Sequence, residues 1–277
     1  MNLTLAQLPS QPVPTVRPDR PGWAALAVIG VVGGVLSGLF AIGGGILMVP
    51  LLVWRFGMDQ RRAAATSLVA IVPTGLVSSV TYLVNGQVDV VAAVFVAAGA
   101  MTGAVLGSHL LERIPLAQLR WMFVVFILAV ATRLVLVSPH RGGHVHLSGA
   151  VAVGYVALGL VMGVASGLFG IGGGIIAVPL MISLFAVSDL IAKGTSLLVS
   201  VPTSAVGTVA NRRSGLVDLR AGLIVGVAAA AASVPAVGLA LTMSPRLSGL
   251  LFAGLLVLVA LQISMKSIRA TWRQASR

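Results

Sequence analysis

The segment Gly34-Val-Leu-Ser-Gly-Leu-Phe-Ala-Ile-Gly-Gly-Gly-Ile-Leu-Met-Val-Pro-Leu51 returns as Gly163-Val-Ala-Ser-Gly-Leu-Phe-Gly-Ile-Gly-Gly-Gly-Ile-Ile-Ala-Val-Pro-Leu180, 129 residues later. The same gapless offset pairs Thr66-Ser67-Leu68 with Thr195-Ser196-Leu197, Pro73-Thr74 with Pro202-Thr203, Gly86 with Gly215, and Val88-Asp89 with Val217-Asp218. Chance apolar similarity does not hold Gly, Pro, Thr and Asp in register over such a length. Whatever unit this chain folds into must therefore be built twice. The repeats run from 22 to 137 and from 148 to 268. Between them lies a linker, 138–147, rich in Gly, His and Arg. A proline-rich tail, 1–21, precedes them and a basic tail, 269–277, follows.

Lipid is the solvent these units require. Hydrophobic residues make up 58% of the chain and charged ones 9%, too little polar surface to cover a soluble globule of 277 residues. Apolar stretches such as 64–84, 88–111 and 216–241 each suffice to cross a hydrocarbon core of about 30 Å as a helix. The alternating short segments of a β-barrel are missing. The net charge of +12 is dispersed through connections and tail, so it reads as orientation signals and not as a nucleic-acid surface. With no cysteine, disulfides, thiolate metal sites and cysteine nucleophiles are excluded.

These features predict an all-α polytopic membrane protein. Residues 23–54 form one apolar run, which as helix would measure about 48 Å, too long for one crossing and short for two. Gly43, Gly44 and Gly45 divide it, giving five elements at about 23–41, 45–55, 64–84, 88–111 and 117–137, and five more at the offset of 129. An odd number per repeat inserts the second repeat in the opposite orientation. The Lys/Arg distribution agrees: with the N-terminus inside, 14 basic residues fall on the cytoplasmic side and 4 outside. Equivalent loops also exchange their charge. Arg55, Arg61 and Arg62 correspond to a second-repeat loop with no basic residue before Lys193, whereas the uncharged loop around Asn85-Gly86-Gln87 corresponds to one carrying Arg212 and Arg213. Eight crossings with parallel repeats rank second, because they would place the basic loop 55–62 outside. The expected setting is a bacterial inner membrane, with both termini cytoplasmic.

The doubled motif, Ser37-Gly-Leu-Phe-Ala-Ile-Gly-Gly-Gly with Pro50 and Ser166-Gly-Leu-Phe-Gly-Ile-Gly-Gly-Gly with Pro179, each trailed by Thr-Ser-Leu, resembles the TauE/SafE family of sulfite and organosulfur-anion exporters. The resemblance covers nearly everything between the tails. It implies a secondary transporter whose partner is a small anion such as sulfite or an organosulfonate.

The residues themselves suggest where an anion could sit. The second element of each repeat spans only roughly 16 Å, so it must lie within protein and its glycine end below the surface. Gly43–Gly45 and Gly172–Gly174 then offer free backbone N–H groups at a helix start, which favour an anion by hydrogen bonds and by the helix dipole. Close helix packing is the competing reading of these glycines. Three in a row followed by proline favour the site. Thr66, Ser67, Thr195 and Ser196 are expected to add hydroxyls, although such groups also bond their own helix carbonyls. Pro50, Pro73, Pro179 and Pro202 are expected to break helices, freeing polar backbone. Lys193 could attract an anion at the outer mouth or snorkel to the interface. His109 is the one candidate proton switch, against a simple interfacial histidine. His140, His144 and His146 lack carboxylate or cysteine partners, so no metal is assigned, and nothing calls for a cofactor. Neither paired carboxylates nor a Ser-His-Asp set supports an enzyme, and no Gly-Lys-Ser/Thr follows the glycines. A non-transporting scaffold is the rival class, and a homo-oligomer is left open.

Overall fold

The computed structural model describes residues 22–115, 118–119, 121–122, 124–125, 128–129, 132 and 148–275; the tail 1–21 and the linker 138–147 lie outside this set. Its helices are α1 (Trp23–Phe40), α2 (Gly45–Phe56), α3 (Gln60–Val84), α4 (Val90–Arg113), α5 (Gly149–Phe169), α6 (Gly174–Phe185), α7 (Asp189–Arg213), α8 (Leu219–Thr242) and α9 (Pro245–Ala275). The bounds of α2, α3 and α4 recur 129 residues later in α6, α7 and α8. Among the described residues, α1, α3, α4, α5, α7 and α8 are long and apolar enough to cross a membrane, whereas α2 and α6 have only 12 residues each. α9 continues to Ala275, where a separate tail from 269 was expected.

The few carboxylates mark where helices begin. Asp59, Asp89 and Asp218 each accept a hydrogen bond from the backbone N–H three residues on, at 2.9, 2.9 and 3.0 Å, and Ser188 does the same before α7. A side-chain oxygen at this position satisfies one of the amides that a helix start leaves without a carbonyl, worth about 1 kcal/mol. This cap starts α3 at Gln60, earlier than the apolar run alone suggests. The prolines do not break the helices, contrary to expectation: α2, α3, α6 and α7 run through Pro50, Pro73, Pro179 and Pro202. After each mid-span proline a threonine donates to its own helix, Thr74 to Ala70 O at 2.8 Å and Thr203 to Val199 O at 2.7 Å. The real interruptions are the turns before α2 and α6.

Long-range packing joins each repeat to the other. α1 lies on α8 with Gly30, Gly34 and Gly38 facing the carbonyls of Val225, Ala229 and Ser233; a Cβ on these glycines would come within 2.3, 2.1 and 2.6 Å of those oxygens. α5 lies on α4 in the same way, with Gly159, Gly163 and Gly167 facing the carbonyls of Val96, Ala100 and Ala104 at 2.0, 2.1 and 2.5 Å. Small residues every fourth position let two backbones approach this closely, which is how helices adhere where lipid offers no hydrophobic gain. Both registers ascend together, so the helices within each pair run parallel. α8 also runs parallel to α3, with Gly222 against Thr66 O and Gly226 against Ala70 O. α3 and α7 cross in opposite senses, Gly75 against Leu197 O and Gly207 against the Leu68 side chain.

Substitution of Gly163 by leucine should push α5 off α4 and cost at least about 1–3 kcal/mol. Gly238→Ala, where a Cβ would meet nothing within 4 Å, should be neutral. Thermal unfolding of both variants in detergent measures the difference.

Candidate functional site

The centre is the pair of turns that open α2 and α6. In the first, Ala41, Gly43 and Gly44 adopt left-handed conformations with φ of 57°, 66° and 79°; in the second, Gly170, Gly172 and Gly173 have 66°, 75° and 82°. Glycine at 43, 44, 172 and 173 is what makes these angles inexpensive. Each turn folds its chain back on the preceding helix. Gly44 lies against Gly33 O, a would-be Cβ at 2.8 Å, and Gly173 against Met162 O at 3.2 Å.

The two turns then meet. A Cβ on Gly172 would lie 3.7 Å from the Cα of Gly43. Gly45 abuts Gly170 O and Gly174 abuts Ala41 O, with would-be Cβ distances of 2.1 and 1.9 Å. All six predicted glycines are therefore brought together and buried. The backbone N–H groups of Gly43–Gly45 and Gly172–Gly174 find no acceptor among the described residues. Buried donors are nearly always paired, so a cluster of unpaired ones at two helix starts marks a place suited to an acceptor ligand.

Methionines back both turns by complementary substitution. Met48 of α2 packs on Gly33 and Gly44. The equivalent of Met48 is Ala177, while the equivalent of Gly33 is Met162 of α5, which packs on Gly173. The same space is thus filled from opposite helices in the two repeats. The pair Ile71 and Ser200 breaks this balance. Ile71 lies 3.2 and 3.1 Å from the would-be Cβ atoms of Gly43 and Gly172, and Ser200 donates to Gly172 O at 2.5 Å.

The Thr-Ser pairs hold the scaffold. Thr66 Oγ1 accepts from Asp218 N–H at 3.1 Å, and Thr195 Oγ1 from Asp89 N–H at 2.9 Å, tying the starts of α3 and α7 to the loops before α8 and α4. Ser67 donates to Gly170 O at 2.6 Å and so fixes the second turn. Ser196 donates to Lys193 O at 2.9 Å. Among the described residues, buried hydroxyls that do lack partners are those of Ser37, Ser166, Ser78, Ser204, Thr208 and Tyr155. Ser37 and Ser166 stand one turn before Ala41 and Gly170, whose N–H groups bond the carbonyls of the same serines. The signal for them was available, since both lie inside the repeated Ser-Gly-Leu-Phe at the offset of 129.

Lys193 is neither at the glycine turns nor snorkelling. Its ammonium, 3% exposed, donates to Asp189 Oδ2 at 2.7 Å and to Ser248 Oγ at 2.8 Å, pinning the start of α9 to α7. The first repeat has the uncharged Gln60, Ala64 and Leu119 at these positions. His109 is exposed near the end of α4, with Nδ1 2.8 Å from Val105 O, remote in sequence from both turns. His140, His144 and His146 lie outside the described residues.

Comparison with known proteins follows this architecture. The family model described as sulfite exporter TauE/SafE matches residues 2–134 and again 155–277, one match per repeat. A probable membrane transporter protein, YunE of Bacillus subtilis (strain 168), is 28% identical over 216 residues, covering 70% of this chain and 79% of that protein. A probable membrane transporter protein of Xylella fastidiosa (strain 9a5c) is 33% identical over 107 residues, 38% of this chain and 41% of the relative. The sulfite exporter TauE/SafE family protein 3 of Arabidopsis thaliana is 28% identical over 122 residues, 44% of this chain and 25% of its own length. No solved structure matches. With the motif doubled, the all-helical bundle in place and the profile matching both repeats, this chain belongs to the sulfite exporter TauE/SafE family of multi-pass membrane transporters, which are not enzymes.

Proposed function

We propose that the protein carries a small anion, sulfite or an organosulfonate, across the plasma membrane by alternating access between two oppositely inserted repeats, with the anion held by the paired glycine turns. The observation that carries this reading is the meeting of Gly43 and Gly172, where buried N–H groups of two helix starts point at no protein acceptor. Each helix N-terminus contributes the equivalent of roughly half a positive charge. Two together balance about one negative charge, which suits a monoanion such as hydrogensulfite or a sulfonate. The unpartnered hydroxyls of Ser37 and Ser166, one turn before the two glycine turns, can donate further bonds. No cation of the protein has to be desolvated, since Lys193 is already neutralised by Asp189.

The helix directions support opposite insertion. α1 runs with α8 and α8 with α3, α4 runs with α5, and α3 opposes α7. The equivalent helices α3 and α7 therefore point in opposite directions, the relation expected where one repeat presents to the inside what the other presents to the outside.

Reconstituted alone in liposomes, the purified protein should move radiolabelled sulfite or a small organosulfonate down its gradient; inert liposomes with well-folded protein would reject transport of these anions. Ser37→Ala and Ser166→Ala should each weaken anion affinity about tenfold, as expected for a hydrogen bond to a charged group, without loss of thermal stability. Thr66→Ala should do the reverse, lowering stability by about 1 kcal/mol with affinity unchanged. Insertion is testable because the chain has no cysteine of its own. Cysteines at the equivalent positions Asn85 and Ser214 should react with an impermeant thiol reagent from opposite faces, Asn85 from outside. Reaction of both from one face would overturn the inverted arrangement.

A further inference from the structure

A groove of about 500 Å³ runs between the C-terminal halves of α4 and α7, on a different face of α7 from the residue that touches the glycine turn. Most of its wall is apolar and open to the outside of the bundle: Val105, Ala205, Val206, Val209 and Ala210, with Val209 60% exposed. In a membrane this wall faces acyl chains. One end is polar, formed by His109, Glu112, Arg213 and Ser214.

We propose that this groove is a binding site for one anionic phospholipid, its acyl chain along the valine and alanine wall and its phosphate at Arg213. The proposal needs only that α4 and α7 span a bilayer, so it is independent of the anion carried. Charge complementarity selects the headgroup. Arg113, Arg212 and Arg213 are exposed, and none of their guanidinium groups has an acceptor among the described residues. The carboxylate lining the groove, Glu112, accepts a hydrogen bond from the Ser214 hydroxyl. His109 donates through Nδ1 to Val105 O, which turns Nε2 away from its own helix. A phosphodiester can take a bidentate bond from a guanidinium, whereas a zwitterionic headgroup brings its own cation into the same basic cluster.

The repeat shows that the feature is not a by-product of packing. The positions equivalent to His109, Glu112 and Arg213 are Gly238, Leu241 and Val84, so the corresponding ends of α3 and α8 carry no charge at these positions. One lipid on one membrane face is the result. By the charge distribution that face is the cytoplasmic one, where anionic headgroups attract basic clusters.

Native mass spectrometry of the full-length protein, titrated with phosphatidylglycerol or phosphatidylcholine of identical chains, tests this. One phosphatidylglycerol should be retained per protomer, at least about tenfold more tightly than phosphatidylcholine. Arg213→Gln should remove that preference by losing the phosphate contact. Ala210→Trp should block both lipids by filling the groove while leaving every charge in place. Because Arg213 is exposed, the first variant is expected to fold even if the second does not. Equal retention of the two lipids, or a preference that survives Arg213→Gln, would overturn the proposal. So would disulfide cross-linking of Ala210→Cys protomers in native membranes, which would assign the groove to a second copy of the chain.

Discussion

The contact of glycine with carbonyl across the repeat boundary is the interaction on which the rest of the molecule depends. In lipid, helices gain nothing by hiding apolar surface from one another, so association must come from close van der Waals approach and from polar contacts. Here α1 obtains that approach from α8, and α5 obtains it from α4, each through three glycines spaced by four. Neither repeat forms these contacts with its own members. The two halves are held as reciprocal partners: the α1–α8 contact of the first repeat with the second has its counterpart in the α5–α4 contact of the second with the first.

That reciprocity brings equivalent positions face to face near a common axis. Gly43 meets Gly172, and Gly45 and Gly174 each press on the carbonyl of the opposite turn. Two short helices thereby begin at the same place inside the protein, where irregular backbone is tolerated in a membrane. The polar groups nearby divide into two sets. Thr66, Thr195, Ser67 and Ser200 are engaged in holding loops and turns, while Ser37, Ser166, Ser78 and Ser204 have no protein partner. The first set gives the site its shape. Of the second, Ser37 and Ser166 lie directly before the two turns and leave the proposed site donors.

The repeats are equivalent in backbone yet not in side chain. Met48 and Met162 exchange places between helices and preserve volume, so they keep the symmetry of the packing. Ile71 against Ser200, the Lys193–Asp189–Ser248 cluster and the charged end of the α4–α7 groove have no counterpart in the other repeat. A carrier working between two unlike compartments has reason for such differences, since its two faces meet different solutions and different lipid leaflets.

Apart from the expected element at 117–137, most of which lies outside the described residues, the helix positions, the turns at the glycines and the duplication are legible in the sequence because they follow from local rules: apolar run length, Asp and Ser at helix starts, glycine where the backbone turns left-handed, and a constant offset of 129. The glycines 43–45 and 172–174, on which the proposed anion site rests, stand out in sequence because the groups they offer are backbone groups set by their own helix start. Tertiary structure decided what local rules leave open. Thr66 and Thr195 proved to be ties because Asp218 and Asp89, 152 and 106 residues away, bring their N–H groups to them. Lys193 turned inward because Asp189 and Ser248 meet it there, and α3 continues through Pro73 where Gly226 of α8 packs against the proline ring. A side chain's partner depends on which distant segment packs against it. That is set by the joint packing of both repeats, which no single window of sequence contains.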